Sequence, residues 1–294
     1  IAGSRIERGE RALIDRAGVV HGPFDLVVDA TGMRSPLRAA EGRVKINRPY
    51  PFGALWGIVA LPAGWPYPRT LAQVYDGAHT MIGVLPVGRR PGDARALAAF
   101  FWSMRTKDHA AWQAAGLSPW KQRIVQAWPD VAPLVAQIEA AEQMTLTTYA
   151  DMTMRQRHAE RLAFIGDAGR TTSPQLGQGC NLALIDATVL AQTVREAESV
   201  EEALALYGER RHVHSTFYSF ASRWLTPFFQ SDSRLAGAVR DHAFPLMGRV
   251  PYVQREMVRT LAGMKTGLFS HLDPGMWHSA YALDGPSART SEPS

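Results

Sequence analysis

The stretch FIGDAGRTTSPQLGQGCN, residues 164–181, decides the fold of this 294-residue chain. The apolar run 162–165 predicts a buried strand, and Asp167 follows at its carboxyl end. A loop rich in Gly and Pro then leads into a predicted long helix that begins near Cys180. Because α/β sheets bind ligands at the carboxyl ends of their strands, this unit predicts an α/β fold with a ligand site at Asp167.

Three features of this unit suit a ligand with hydroxyl groups and partial negative charge. The Asp167 carboxylate is a charge-assisted acceptor for a sugar or ribitol hydroxyl. Gly177 and Gly179 have no Cβ, so the backbone there can approach a ligand closely. The first amides of the helix lack intrahelical partners and carry about half a positive charge from the helix dipole.

The same residues resemble the second flavin-binding fingerprint of the FAD-dependent aromatic hydroxylases, the single-component monooxygenases with the p-hydroxybenzoate hydroxylase fold. The resemblance implies that Asp167 binds the ribityl chain of FAD. It also implies that the backbone amides of Cys180 and Asn181 meet the pyrimidine edge of the flavin. The other matching positions are Gly166, Ala168, Pro174, Gly177, Gly179, Ala183, Asp186 and Ala187, of which Gly166, Pro174, Gly177 and Gly179 belong to the implied cofactor site.

The chain departs from this fingerprint at one position. Family members usually carry His four residues after the Gly of Gly-Asp-Ala, and this chain has Arg170. Arg170 could be an anion contact behind the site or a solvated loop arginine. We expect the solvated arrangement, because arginine side chains are mostly exposed.

A second motif lies upstream, where the predicted strand 26–30 runs into Thr31-Gly32-Met33-Arg34-Ser35-Pro36-Leu37-Arg38. It is similar to the Asp-Gly-x-x-Ser-x-x-Arg segment of the same family, which lies near the FAD pyrophosphate and is linked to NAD(P)H handling. Gly32, Ser35 and Arg38 keep the pattern, whereas Thr31 replaces Asp and Asp29 stands two residues earlier. This variant looks more like that of the wider glutathione-reductase-like flavoproteins. The resemblance implies that Gly32 and Arg38 contribute to FAD binding.

The family's first fingerprint, a strand–GxGxxG–helix unit that cradles the FAD pyrophosphate, does not occur in this sequence. The chain starts at Ile1 rather than at Met, inside a strand-like segment. We therefore expect on the order of a hundred residues, one mononucleotide-binding half, upstream of Ile1. On this view the sequence is an N-terminally truncated family member.

Composition and charge narrow the class of protein. A content of 46% hydrophobic and 20% charged residues is typical of a globular chain, and excludes disordered, collagen-like and coiled-coil proteins. The net charge of +5 is not gathered in one run, so it suits an anionic cofactor or substrate and does not indicate nucleic acid. Cys180 is the only cysteine, which excludes an internal disulfide, and we predict no metal site. Because one cysteine is typical of a reducing compartment, we expect a cytoplasmic protein. No signal peptide opens the chain, and no apolar run reaches the ~20 residues of a membrane span.

The predicted fold class is α/β (α+β): a partial FAD-binding Rossmann-like domain with an inserted β-sheet substrate domain and a helical C-terminal region. The FAD-binding domain is predicted to comprise 1–48 and 149–200, with the substrate-binding domain at 49–148 between them. Residues 201–271 form the C-terminal helical region, and 272–294 are a predicted disordered tail rich in Ser, Pro and Gly.

Local patterns predict the individual elements. Strands are expected at 11–15, 24–28, 54–61, 70–75, 79–85, 144–149 and 162–165, with a hairpin turn at Asp76-Gly77. A helix capped by Asp93 is expected to carry Leu97, Phe100, Phe101 and Met104 on one side, and Ser118-Pro119 opens another. Residues 201–269 are predicted to form helices broken at Pro227, Pro245 and Pro251.

The segment 50–88 resembles the family's substrate domain, whose sheet covers the flavin and leaves an apolar pocket over its ring. The candidate pocket residues are Trp56, Tyr75, His79, Met81 and Pro174. For the first four, the alternative is packing between the sheet and its helices, and His79 could simply be solvated beside a turn. No catalytic side chain is predicted, because the flavin would carry the chemistry.

The resemblance implies an FAD-dependent monooxygenase that hydroxylates an aromatic or planar apolar substrate with O2 and NAD(P)H through a flavin hydroperoxide. One alternative is a reductase or halogenase of the same fold, although Trp56-Gly57-Ile58-Val59 does not reproduce the Trp-x-Trp-x-Ile-Pro segment of halogenases. Another is a truncated remnant unable to hold FAD, although a remnant would be expected to lose Asp167 and the glycines first. The segment 249–265 mixes basic and apolar residues and could lie on a membrane surface, but we favour packing on its own domain.

Overall fold

The computed structural model describes residues 7–8, 12–15, 17–41 and 43–272. Arg11, at the start of the first predicted strand, and 273–294, nearly all of the predicted disordered tail, lie outside these ranges. The strands are β1 Glu7–Arg8, β2 Leu13–Ile14, β3 Val20–His21, β4 Val27–Asp29, β5 Val44–Ala60, β6 Ala72–Asp76, β7 Thr80–Gly88, β8 Leu97–Arg105, β9 Thr145–Met154, β10 His158–Ala159, β11 Leu162–Phe164 and β12 Arg170–Thr171. The helices are α1 Pro36–Glu41, α2 His109–Ala115, α3 Leu117–Ala127, α4 Ala132–Ala136, α5 Gly179–Glu196, α6 Val200–Phe229, α7 Arg234–Met247 and α8 Pro251–Leu261.

Six antiparallel strands form the largest sheet, in the order β12-β9-β5-β8-β7-β6. The 17-residue β5 lies between β8, which pairs with 52–60, and β9, which pairs with residues within 44–49 and with 53–56, so 53–56 are paired on both edges. One face of this sheet packs against α2, α3 and α4 around a tryptophan-rich core. That core contains the fully buried Leu55, Ile82, Phe100 and Trp120, together with Trp65, Trp112 and Trp128.

The opposite face of the same sheet is more open. The register places Trp56 opposite Phe101, and Phe101 opposite Gly83. Residues that lie directly opposite each other in paired strands point to the same side of the sheet, so these three share one face. Trp56 is 39% exposed and Leu85 is 41% exposed. This half-open apolar face is the one that turns away from the helical layer.

A small sheet carries the predicted site. Its order is β10-β11-β4, with β4 and β11 parallel and Asp29 opposite Phe164. The apolar stripe of α5 packs on β11 and on α6 through Leu182, Ile185 and Val189. The parallel pair therefore brings the carboxyl ends of two strands, one from each predicted motif, to the same edge.

The segment Leu97–Arg105 is strand β8 rather than a helix capped by Asp93, so that prediction was wrong. It is a central strand with β5 on one side and β7 on the other, and it is covered on one face by the tryptophan-rich core. Such a strand carries apolar residues on both faces, so its sequence does not alternate between apolar and polar residues. Leu97, Phe100, Phe101 and Met104 then match the i, i+3, i+4, i+7 spacing of a helix by coincidence.

The other predicted elements are found with shifted ends. The strands at 54–61 and 144–149 are parts of the longer β5 and β9, and the hairpin turn at Asp76-Gly77 joins β6 to β7 as predicted. The long helix near Cys180 begins at Gly179, and the helix opened by Ser118-Pro119 begins at Leu117. Pro227 and Pro245 lie inside the last turns of α6 and α7, which end two residues later, and Pro251 begins α8. Within the described ranges, no helix is both long and apolar enough to cross a membrane.

Candidate functional site

A cavity of about 350 Å³ opens where the end of β11, the start of α5 and strand β9 meet. Five of the predicted site residues line it together: Gly166, Asp167, Pro174, Gly177 and Gly179. The remaining wall is formed by Met33, Thr147, Thr148, Tyr149, Ala150, Arg170, Thr171, Thr172 and Ala183. The cavity thus lies between the fingerprint loop and the outermost long strand of the large sheet.

The glycines of the loop differ in what their surroundings require of them. Gly166 and Gly177 have φ values of 56° and 62°, in the left-handed region that L side chains rarely adopt. A Cβ on Gly166 would also lie 3.1 Å from the Cβ of Ala183. By contrast, a Cβ on Gly177 or Gly179 would meet nothing within 4 Å, so side chains there would project into open space.

The start of α5 is open to a ligand. Gln178 stands at the N-cap without a side-chain capping bond, and the first turn contains no acidic residue. The Asn181 side chain donates to Gln178 Oε1 (2.9 Å) and to Ala262 O (3.2 Å), so its amide group already has partners. What this helix start offers is therefore the backbone N–H groups of residues 179–181, together with the positive end of an 18-residue helix dipole.

Asp167 has an exposed side chain at the cavity wall. Partial desolvation raises the pKa of its carboxyl group, while the positive charges of Arg170 and Arg38 act to lower it. Tyr149, across the cavity, has its pKa raised to about 12 by burial and is a neutral hydroxyl at physiological pH. The site therefore presents an acceptor on one wall and a neutral hydrogen-bonding group on another.

In the upstream motif, Asp29 organises the turn. Its Oδ1 accepts from Thr31 N (2.9 Å) and Thr31 Oγ1 (2.6 Å), and its Oδ2 accepts from Ser35 Oγ (2.5 Å). Ser35 Oγ in turn accepts from Arg38 N at 2.9 Å. Because Asp29 is 1% exposed and these bonds use its oxygens, its role in the structure is to shape residues 29–38.

Arg38 joins the two motifs. Its Nη1 donates to Asp167 O (3.2 Å) and Ala168 O (2.8 Å), and its Nη2 donates to Met33 O. The side chain is 7% exposed, so its guanidinium fixes the backbone beneath the cavity. Gly32, also predicted to contact the cofactor, has a φ of 87° and nothing within 4 Å of a Cβ position.

Behind the loop lies a buried charged network that sequence reasoning missed. Asp186, 1% exposed, accepts from Arg157 Nη1 (3.0 Å), Arg211 Nε (2.7 Å) and Gly166 N (3.0 Å). Arg211 also bonds His214 Nδ1, and His214 Nε2 lies 2.7 Å from Gly263 O. The signal was present on α6, because Arg211 and His214 continue the buried stripe that Leu204, Tyr207 and Tyr218 mark at helical spacing.

Arg170 is not the solvated loop arginine that its sequence position predicts. It lies in β12, opposite Thr153 of β9, and is 7% exposed. The large sheet and α6 cover a position that local sequence alone places in a polar loop. The residue belongs to the cavity wall.

The pocket candidates from the sheet do not gather at the cavity. Trp56 does not line the cavity but contacts its wall, because Trp56 Nε1 donates to Oγ1 of the lining residue Thr147 at 2.7 Å. Tyr75 packs against Phe229 and under Arg240 at the β6 edge, and Met81 is buried beside it. His79 is exposed in the turn. In the part of the chain that the structure describes, no cluster of His, Cys, Asp and Glu could hold a metal ion.

A strand-to-helix loop with a carboxylate, two open glycines and an uncapped helix start is the kind of place at which α/β proteins bind ligands. The chain matches the family model for the FAD binding domain over residues 25–217, and it belongs to that family. The match covers both motifs and the sheet between them. The family resemblance of the two motifs is thereby confirmed.

One relative with an assigned activity is a monooxygenase. The chain is 28% identical over 166 residues to a 6-methylpretetramide 4-monooxygenase of Streptomyces rimosus, covering 55% of this chain and 40% of that protein. It is also 28% identical over 210 residues to an uncharacterized protein of Mycobacterium tuberculosis, covering 69% of this chain and 53% of the relative. The chain thus spans about half the length, or less, of these relatives.

Solved structures share the fold. HpxO of Klebsiella pneumoniae, complexed with FAD and uric acid, superimposes with a TM-score of 0.70 at 18% identity, covering 91% of this chain and 68% of that one. PqsL, a probable FAD-dependent monooxygenase of Pseudomonas aeruginosa, gives 0.64 at 24% identity, covering 80% and 66%. The predicted mixed α/β fold class is confirmed.

Proposed function

We propose that this chain supplies the flavin-holding loop and the substrate-covering sheet of an FAD-dependent monooxygenase. Such an enzyme hydroxylates an aromatic or planar apolar substrate, with O2 and NAD(P)H as co-substrates. The observation that carries the proposal is the cavity in which Asp167, Gly177 and Gly179 meet the uncapped start of α5. The monooxygenase among the relatives and the FAD bound to HpxO support it.

The residues present fit a flavin. Gly177 and Gly179 leave a cradle that a Cβ would enter, and the amides of residues 179–181 are donors for an electronegative ring edge. Asp167 would accept from a ribityl hydroxyl, and Pro174 would pack against the ring system. Arg38 and Gly32 would contribute indirectly, by holding the backbone of the turns at 31–35 and 166–168 in place. When bound, the flavin supplies the redox chemistry and the activation of O2.

The chain's own contribution is to bind, orient and exclude water. The positive end of the α5 dipole favours negative charge at its amides by about 0.3–2 kcal/mol. The open apolar face around Trp56 would cover a planar substrate, and its bond to Thr147 would hold the indole ring in a fixed orientation. Tyr75 and Met81 pack at the far edge of the sheet, so packing is the role we assign to them, and His79 is assigned none.

The domain division at 1–48, 49–148, 149–200 and 201–271 is part of this proposal. It is supported by the tryptophan-rich core, which the sheet and α2–α4 build from residues within 55–144. A cytoplasmic location is likewise proposed, and it accords with the single exposed cysteine, Cys180.

Flavin binding to the full chain tests the assignment. We expect Asp167→Asn to raise the Kd for FAD about 10–100-fold, because a ribityl hydroxyl loses its charged acceptor. Gly179→Val should block binding without unfolding the protein, since its side chain would enter the cradle and meet nothing else. The matched control is Asp130→Asn, the same substitution at an exposed residue in the turn Pro129–Val131, which does not line the cavity. The Kd is read from the visible spectrum of FAD during titration.

Two outcomes would contradict the proposal. An unchanged Kd in Asp167→Asn would remove Asp167 from the flavin site. If FAD binds but NAD(P)H oxidation with aromatic substrates never places one ¹⁸O atom from ¹⁸O2 in a product, the protein is a different kind of flavoenzyme.

A further inference from the structure

Arg170 is a buried cation that makes no hydrogen bond or ion pair within the described part of the chain, although the charges of Asp167 and Asp186 act on it from a distance. Its side chain is 7% exposed, and its Nε is buried with no hydrogen-bond partner. Among the residues that the structure describes, none forms an ion pair or hydrogen bond with its guanidinium. A buried charge normally has a partner, because taking an unpaired ion out of water costs several kcal/mol.

The obvious counter-ion is already saturated. Asp186 Oδ1 accepts from Arg157 Nη1 and Arg211 Nε, and its Oδ2 accepts from Arg157 Nη1 and Gly166 N. A carboxylate has about four acceptor positions, and all of them are used. The three arginines therefore share one buried carboxylate and hold positive charge in excess. Arg157 Nη2 and Arg211 Nη2 are also buried without a partner.

The excess charge faces the cavity. Arg170 forms part of the wall, along with Asp167, Gly179 and Tyr149. Burial and the neighbouring guanidiniums lower the pKa of Arg170 to about 10, so the side chain is still charged at neutral pH. The start of α5 adds its own positive end to the same space. A negatively charged group beside Arg170 would meet the guanidinium on one side and the amides of the α5 start on another, with the Asp167 carboxylate as the acidic group of the lining.

We infer that Arg170 is an anion-recognition residue, whose guanidinium binds an oxyanion that a ligand carries into the cavity. The inference rests on the proposed function, because this is the cavity assigned there to the flavin. The oxyanion is either a phosphate group of the cofactor or the carboxylate of an aromatic substrate. In both cases the planar guanidinium offers a two-pronged hydrogen bond that would complete the buried network.

The test compares the stability of the full chain with and without simple anions. Inorganic pyrophosphate represents the cofactor's phosphates and benzoate represents an aromatic carboxylate, each against sodium chloride of equal ionic strength. We expect one of them to raise the Tm of the wild-type protein by roughly 3–6 °C at tenfold excess over its Kd. Arg170→Gln should abolish that rise, and Arg170→Lys should keep part of it. Arg195→Gln, at an exposed position on α5, is the control and should keep all of it.

The anion-free protein supplies the second readout. If the guanidinium of Arg170 gains its partner only when a ligand binds, the Arg170→Gln variant lacks an unpaired buried charge. It should then unfold at a higher urea concentration than the wild-type protein. If Arg170 is a structural residue, the variant should be less stable or should fail to fold, and either result overturns the inference. Stabilisation of wild type by neither anion also overturns it. Tight FAD binding in that last case would leave the proposed function standing, so the two failures are distinguishable.

Discussion

His214 is a buried imidazole with a partner on each ring nitrogen. Because Arg211 can only donate, Nδ1 is the acceptor, and Nε2 carries the proton that it donates to Gly263 O. The ring packs edge-on against Tyr218. Burial, and then the positive charges of Arg211 and Arg170, lower its pKa to about 4, which Asp186 and the Gly263 carbonyl only partly oppose.

This residue predicts a pH dependence of folding. Above pH 6.5 the imidazole is neutral in the folded and unfolded protein and contributes nothing. Between pH 6.5 and 4 the unfolded chain binds a proton that the folded protein does not, so stability falls as the pH falls. We expect His214→Gln to lose this component, which amounts to about 2–3 kcal/mol by pH 4. Urea unfolding of both proteins at pH 7, 5.5 and 4 gives the free energy of unfolding at each pH. If that free energy falls equally in both proteins as the pH is lowered, the prediction is refuted.

At the scale of elements, the pairing of β7 with β8 depends on a glycine. Gly83 lies opposite Phe101, and a Cβ built on Gly83 would lie 1.9 Å from Phe101 Cζ, far inside van der Waals contact. The Phe101 ring of β8 therefore packs on the backbone of β7 at Gly83, where no side chain stands in its way. This contact fixes the open face of the sheet at the point where Trp56 also meets Phe101.

We expect Gly83→Ala to cost about 1–3 kcal/mol, since the ring must leave its position. Phe101→Leu in the same protein should recover much of that loss, because the smaller side chain leaves room for the methyl group. A double-mutant cycle from urea unfolding measures the coupling. Gly179→Ala is the comparison glycine, with nothing near its Cβ. Additive single effects would show that the two residues do not clash.

Elements were predictable wherever one local signal dominated. The strand ending at Phe164, the turn at Asp76-Gly77 and the helix beginning at Gly179 each carry such a signal in a few adjacent residues. Strand β8 was not predictable, because apolar side chains stand on both its buried face and its half-open face, and the sequence therefore shows no alternation. The cavity could be inferred from the fingerprint, but the burial of Arg170 could not. It depends on β9, β12 and α6 closing over one loop, and no local pattern encodes that arrangement.

On the scale of the whole molecule, the hydrophobic residues form three clusters. One is the tryptophan-rich core, a second lies beneath β4, β11 and β9, and a third lies between β11, α5 and α6. Arg38 acts on the last two, because its three acceptors lie in the turns after β4 and β11. It has no contact with the tryptophan-rich core in the described part of the chain.

We therefore expect Arg38→Met to destabilise the two cores around β11 by about 2–4 kcal/mol, by leaving three carbonyl groups without a charged donor. Far-UV circular dichroism should show unfolding at lower urea than in wild type. Tryptophan fluorescence should shift less, because four of the eight tryptophans lie in the tryptophan-rich core: Trp65, Trp112, Trp120 and Trp128. Arg195→Met is the control. Equal shifts by both probes would mean that the molecule unfolds as one unit, contrary to this expectation.

The bond from Arg38 to Ala168 also has a consequence for synthesis on the ribosome. Its two ends are 130 residues apart, which is roughly 7–26 s of translation. During that interval β6, β7 and β8 emerge one after another and can pair with each other, whereas β4 waits for β11. The ligand cavity is thus the last part of this region to be assembled. A nascent chain can acquire its ligand only after residues 166–181 have left the exit tunnel, so ligand binding follows the synthesis of strands β5 to β9.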